Sequence, residues 1–325
     1  MSGALAAAVA DGHDVDLADL PLDGIVGSGG QGRIHRLGGG SDLLYKEYLE
    51  PARVQAAALA ELVRLRHGLD GTDRGTLDAR SAWPLARVLT GGRCTGFLMR
   101  TAPDSMRWRT GAGSRKLIEL QYLLHAERPA TAGVVRPTPG QRLVLLRAVV
   151  DLLAGLHRHG LVVGDLSQAN VLWTVVPEPA VFLIDCDGIR RAGARPVLEQ
   201  AETPDWGDPL SPFGSDATVD SDRYKAALVV GRVLAQQAYL APGSPLVPLP
   251  GVLDDRQDTA VRRLWGEAAG PYGTRPDLRA WAAALGDRDV IPVPRLRPPP
   301  PRPVDPSLFG NRRAPRDTVR LPPTN

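Results

Sequence analysis

The sequence predicts an α+β protein in two lobes, a small antiparallel β-sheet lobe with one helix and a larger, mainly helical lobe. Three observations predict it. Residues 25–48 alternate around a glycine cluster and return through Gly38-Gly39-Gly40, as a hairpin does. Residues 81–100 read as two more strands about the turn Gly91-Gly92. Residues 141–159 then carry apolar side chains along one broad face at helical spacing, after Pro139-Gly140 as a start signal. The implied organisation is an N-terminal extension (1–20), the small lobe (21–100), the helical lobe (101–290) and a Pro/Arg-rich tail (291–325) of polyproline-type or disordered chain.

Composition bounds the function classes. At 325 residues and 43% hydrophobic content, the chain has ample apolar material for a core. Seven Arg and two Asp in 291–325 carry about +5 of a net +3, which leaves residues 1–290 near −2. The body has no basic stripe or nucleic-acid motif, so no nucleic-acid partner is expected. The tail is the segment expected to dock on a partner, or else to act as a plain linker. The two cysteines, Cys94 and Cys186, are far apart and without metal spacing. With no signal-peptide pattern and no long apolar run, a cytoplasmic protein without direct membrane insertion is expected. Of 39 basic residues only Lys46, Lys116 and Lys225 are lysines, so a lysine at a ligand position carries unusual weight.

In the small lobe, Gly27, Gly29 and Gly32 form G-x-G-x-x-G with Ile34 two residues beyond. Missing side chains let backbone N–H groups approach phosphates, though the same glycines suit a plain surface hairpin. Lys46 follows fourteen residues past Gly32 on the returning strand, where an ammonium can reach phosphates beneath the loop. A helix follows over 53–67, with Glu61 beside its apolar stripe as the expected partner of Lys46. After the long helix, the stretch from Leu161 to Arg190 places Asp165 five residues before Asn170 and twenty before Asp185, each following a short apolar run. That spacing suits phosphoryl transfer, with one acid taking a proton while an amide and a second acid hold magnesium.

Taken in order, these residues resemble a protein kinase over about residues 21–286. The segments GLVVGDLSQANVLW and VFLIDCDGIR most resemble a bacterial subgroup of Ser/Thr kinase-like proteins with GDL-x-x-x-N and DCD motifs. The resemblance implies a bilobal protein-kinase-like fold and ATP- and Mg²⁺-dependent phosphoryl transfer to Ser/Thr of unknown protein substrates in signalling, with Mn²⁺ as a substitute metal. It implies Asp165 as base, Asn170 and Asp185 as metal ligands, and Lys46, paired with Glu61, on the phosphates. Val26, Ile34 and Leu172 would enclose adenine, and the backbone near Leu98 to Thr101 would be the hinge that meets it.

The chain departs from the family pattern in several places. Gly164 stands where many kinases carry an arginine that grips a phosphorylated loop, which implies that loop phosphorylation is not the main switch. Ser167 stands in place of a lysine that touches the γ-phosphate. Cys186-Asp187 replaces Phe-Gly, with Asp187 read as a turn cap in preference to an added metal ligand. Thr203-Pro204-Asp205-Trp206 resembles the end of an activation segment. Asp222 is expected to brace the catalytic-loop backbone and Tyr224 to pack in the core. Arg275 lacks its usual glutamate, with Asp208 as the substitute. The alternatives are a nucleotide-binding pseudokinase scaffold and a small-molecule phosphotransferase.

Overall fold

A computed structural model describes residues 3–199, 203–211 and 215–287. In chain order the elements are α1 (Gly3–Asp11), β1 (Val15–Asp16), β2 (Leu22–Ser28), β3 (Gly32–Leu37), β4 (Leu43–Tyr48), α2 (Ala56–Gly68), α3 (Gly71–Arg80), β5 (Ala86–Thr90) and β6 (Arg93–Arg100). They continue with β7 (Arg107–Arg109), β8 (Arg115–Leu117), α4 (Gln121–Leu124), α5 (Pro139–Arg158), β9 (Leu161–Val162), β10 (Val171–Thr174), β11 (Ala180–Leu183), β12 (Arg190–Arg191), α6 (Val219–Ala235), α7 (Asp255–Ala268) and α8 (Leu278–Leu285). The architecture is mixed α+β and compatible with a two-lobed division. Residues up to Gly286 form one compact unit, and the tail expected from 291 lies outside the described residues.

One six-stranded sheet has the order β1-β5-β6-β4-β3-β2, antiparallel except for the β1–β5 pair. Strand alternation gives β4 two faces. Leu43 and Tyr45 join a core with Leu37, Leu85, Val88 and Leu98, covered by Leu5, Val9 and Val15. The segment expected to be a frayed extension is therefore built into the sheet region, because its apolar side chains close the face that Tyr45 presents. Lys46 and Tyr48 occupy the other face. On the Tyr45 face, Gly96, opposite Glu47, makes the β4–β6 approach possible, since a Cβ on it would collide with the Lys46 carbonyl oxygen and the Tyr45 ring.

The helical part is organised around α5 and α6. Thr138 caps α5 in a capping box with Gln141, Pro139 holds the first turn, and Leu145, Leu146, Val149, Val150, Leu153 and Leu156 are buried. Helix α6 is buried on nearly every side, and its cap is Thr218, whose Oγ1 accepts from the Ser221 N–H at 3.3 Å. The acids of its first turn are thereby free for tertiary contacts. Helix α7, whose buried side chains include only three large apolar ones, Val261, Leu264 and Trp265, packs on α6 and α8 and had no counterpart in the sequence reading.

Arg275, ahead of α8, pairs with Asp208 through both terminal guanidinium nitrogens, one at 2.7 Å, and with Asp220 of α6 at 3.0 Å. Its guanidinium stacks 4.9 Å from the Tyr224 ring. Arg275 and Asp208 side chains are both about 1% exposed, so removing the cation strands two buried carboxylates. Arg275→Leu is expected to cost about 3–5 kcal/mol in urea denaturation; a loss below about 1 kcal/mol would show that this cluster does not hold the segments together.

Candidate functional site

A cavity of about 490 Å³ opens beside the sheet, a size suited to a small-molecule ligand. Its apolar wall comes from Val26, Gly27, Ile34 and Leu44 of the sheet, Ala82, Met99 and Ala102, and from Leu117, Tyr122 and Ile184 on the other side. Arg100, Arg107, Arg115 and Lys116 bring positive charge to its lining, and Glu119 and Asp185 bring negative. Val26, Gly27 and Ile34, expected to bind nucleotide, all line this cavity. Leu172 does not. It is fully buried within β10, opposite Phe182, and the wall expected of it is built by Leu117 and Tyr122.

The glycines of the hairpin have separate reasons. Gly29 accepts no strain and closes the turn by donating its N–H to the Gly32 carbonyl at 2.9 Å. Gly32 is required by packing, because a Cβ there would meet the Glu47 carbonyl oxygen at 2.6 Å. Of the three, only Gly27 lines the cavity.

Lys46 lies mid-strand, 5% exposed, with Ile34 and Phe97 as its cross-strand partners. Its Nζ donates to Asp187 Oδ1 at 2.7 Å and to Asp185 Oδ1 at 2.9 Å. The expected pair with Glu61 is absent. Glu61 stands off the buried stripe of α2 formed by Leu59, Leu62 and Val63, and accepts from Arg64 at 2.9 Å and Arg191 at 3.1 Å. Asp187 is likewise no mere turn cap. It is buried, and its Oδ2 accepts from the Tyr48 hydroxyl at 3.0 Å. Burial alone would push the Lys46 ammonium down, but the Asp187 and Asp185 charges outweigh it and hold the amine protonated. Burial, then the Asp187 charge, pushes the Tyr48 phenol up.

Asp185 sits in the left-handed region, φ 56° and ψ 42°, with its side chain 55% exposed toward the cavity. Asp tolerates that conformation better than most residues. Asp165 lies on the loop between β9 and β10. Its Oδ1 accepts from Thr203 Oγ1 at 3.1 Å and its Oδ2 from Asn170 Nδ2 at 3.1 Å. Burial raises the Asp165 carboxyl above its ordinary value, against the Lys225 charge and the hydrogen bonds of Thr203 and Asn170. Asn170 also donates to the Asp165 carbonyl at 2.8 Å, which commits its amide nitrogen and leaves its amide oxygen as a ligand.

The loop is held from below by α6. Asp222 accepts from the Val163 N–H at 2.6 Å, the Gly164 N–H at 2.9 Å and His157 Nε2 at 3.1 Å. Gly164 has φ +78°, which explains a glycine there better than any lost function. Lys225, one turn on and buried, donates to the Gly164 carbonyl at 2.7 Å. Ser167 is fully buried and offers no charge to the cavity. The residues missed from sequence are thus Asp187 as counter-ion, Tyr48 and Lys225. The scarcity of lysine was the signal that could have found the last.

No cluster of three or more His, Cys, Asp or Glu able to hold a metal occurs among the described residues. Asn170 and Asp185 supply two oxygen donors, a set that suits a cation keeping several waters and borrowing further oxygens from a phosphate. No family model matches the sequence, and no curated protein matches it.

These contacts separate two candidate partners for Lys46. Asp187→Ala is expected to lower stability by about 3 kcal/mol, since it removes the buried one of the two counter-ions of Lys46 and leaves the buried Tyr48 phenol unpaired. Glu61→Ala, on a surface pair, is expected to cost under about 1 kcal/mol. Equal losses in chemical denaturation would contradict the assignment.

Proposed function

We propose that this chain is an ATP- and magnesium-dependent phosphotransferase of the protein-kinase-like type, acting on Ser or Thr of protein substrates. The observation that carries the proposal is the pairing of a buried strand lysine, Lys46, with Asp185, which lines the cavity, together with a braced loop that presents Asp165 hydrogen-bonded to Asn170. Thr203 supports a protein substrate, because it ties the TPDW segment to the Asp165 carboxylate.

In this reading Val26, Ile34, Leu44, Met99 and Tyr122 enclose the base, and Lys46 donates to the phosphate oxygens. Lys46 is held in place by Asp187, which leaves Asp185 able to exchange its lysine contact for a cation. Asn170 and Asp185 would hold Mg²⁺, or Mn²⁺, which supplies charge neutralisation at the phosphate oxygens. The Asp165 carboxylate accepts the proton of the substrate hydroxyl as its oxygen bonds to the γ-phosphorus and the bond to ADP breaks. Asp222 and Lys225 fix the backbone on either side of Gly164, so that Asp165 is aimed without rearrangement.

A second reading, a nucleotide-binding scaffold without useful transfer, draws on the buried, uncharged Ser167 and on the double occupation of Lys46 by carboxylates. Incubation with γ-labelled ATP and Mg²⁺ or Mn²⁺ decides between them. Label is expected on protein, with Asp165→Asn lowering kcat by about 10²–10⁴-fold while nucleotide-dependent thermal stabilisation persists. Stabilisation without label transfer would favour the scaffold, label on small metabolites a small-molecule phosphotransferase, and unchanged transfer by Asp165→Asn would overturn the mechanism.

A further inference from the structure

The basic lining of the cavity is not used by the transfer just described. It comes mainly from the β7–β8 hairpin, which places Arg107, Arg115 and Lys116 on the cavity wall. The hairpin is rigidly seated. Trp108 is buried and meets the Tyr122 ring edge-on at 5.7 Å, and the Ile118 N–H donates to the Met106 carbonyl at 2.9 Å. Trp173, on the strand that follows the Asp165 loop, donates its backbone N–H to Ile118 at 3.0 Å and its indole N–H to the Glu119 carbonyl at 2.9 Å. The cations are therefore fixed relative to the loop that carries Asp165.

Their charge is poorly balanced. Asp104 alone faces two guanidiniums, Arg115 at 3.0 Å and Arg107 at 3.8 Å. Lys116 makes no ion pair among the described residues, and its charge is felt by Glu119. Burial, with Arg115 and Arg36 as like-charged neighbours, pushes the half-buried Arg107 down against the single pull of Asp104. Crowded like charges cost stability, and a bound anion relieves that cost. The body of the chain is close to −2 overall, so this is a local concentration and not a generally basic surface.

We infer that the β7–β8 hairpin is an anion-recognition subsite for acidic side chains flanking the acceptor residue of the protein substrate. This rests on the proposed function for the word substrate, but not for the binding. Arg115 and Lys116 are exposed at the cavity mouth, where a peptide can reach them, whereas the apolar wall inside suits a base. Guanidiniums suit carboxylates and phosphorylated side chains alike, by paired hydrogen bonds.

The test uses the full chain and three fluorescent peptides, each with a central serine flanked by Glu, by Gln or by Lys, measured by anisotropy with and without Mg-ATP. The Glu peptide is expected to bind about tenfold or more tighter than the Gln peptide, and the Lys peptide more weakly than either. The Arg115→Glu/Lys116→Glu variant is expected to lose or reverse that order. Both positions are exposed, and unchanged circular dichroism checks the fold. Equal binding of the Glu and Gln peptides, or an order unaffected by charge reversal, would overturn the inference. So would a variant that keeps the peptide order and loses Mg-ATP stabilisation, which would assign the cations to a phosphate of the nucleotide. Glu-peptide preference without label transfer from ATP would leave the subsite standing and sink the phosphotransferase reading alone.

Discussion

A buried ammonium is tolerated only where opposite charge is built around it, and Lys46 sets that condition for the rest of the fold. Its strand must be central, so that the sheet shields it, and Gly96, opposite Glu47, allows β4 and β6 to close beside it. Its counter-ions must come from the helical part, and Asp185 and Asp187 both arrive on the short turn after β11. The two are not equivalent. Asp187 is buried, hydrogen-bonded by Tyr48 and fixed, whereas Asp185 is half-exposed, held in the left-handed region and open to the cavity. One acid satisfies the lysine structurally while the other stays available, a division that suits a site whose ligand brings its own negative charge.

The Asp165 loop is governed by a second constraint, the burial of α6. A helix surrounded by protein must turn most of its polar groups to tertiary partners. Asp222 binds two loop N–H groups, Lys225 a loop carbonyl, and Asp220 the Arg275 guanidinium. The same helix thereby fixes the loop and ties down Asp208 and the segment before α8. Thr203 adds a further tie to Asp165 from the chain between β12 and α6.

Much of this was legible in the sequence where local pattern decides. The period of α5, the Gly91-Gly92 hairpin, the bracing role of Asp222 and the pairing of Arg275 with Asp208 follow from spacing or from the resemblance, and the structure shows those contacts. What failed was the partner of Lys46. Glu61 alone was expected, but it faces Arg191 from α2, and Asp187, read as a turn cap, takes its place. Leu172 was likewise not placed by local pattern, since within β10 it packs into the core opposite Phe182 and does not line the cavity. The α1 cover and the β7–β8 hairpin were missed because such short elements are stabilised by tertiary contact and show no clear period of their own.

Whether Asp185 exchanges its lysine contact for a cation is the central question, and crystallography with Mn²⁺ and a non-hydrolysable ATP analogue answers it most directly. The account predicts an anomalous peak at bonding distance from Asp185 and the Asn170 amide oxygen, with Lys46 on a phosphate oxygen and still paired with Asp187. Nucleotide bound elsewhere, or a peak remote from both ligands while Lys46 keeps Asp185, would contradict it.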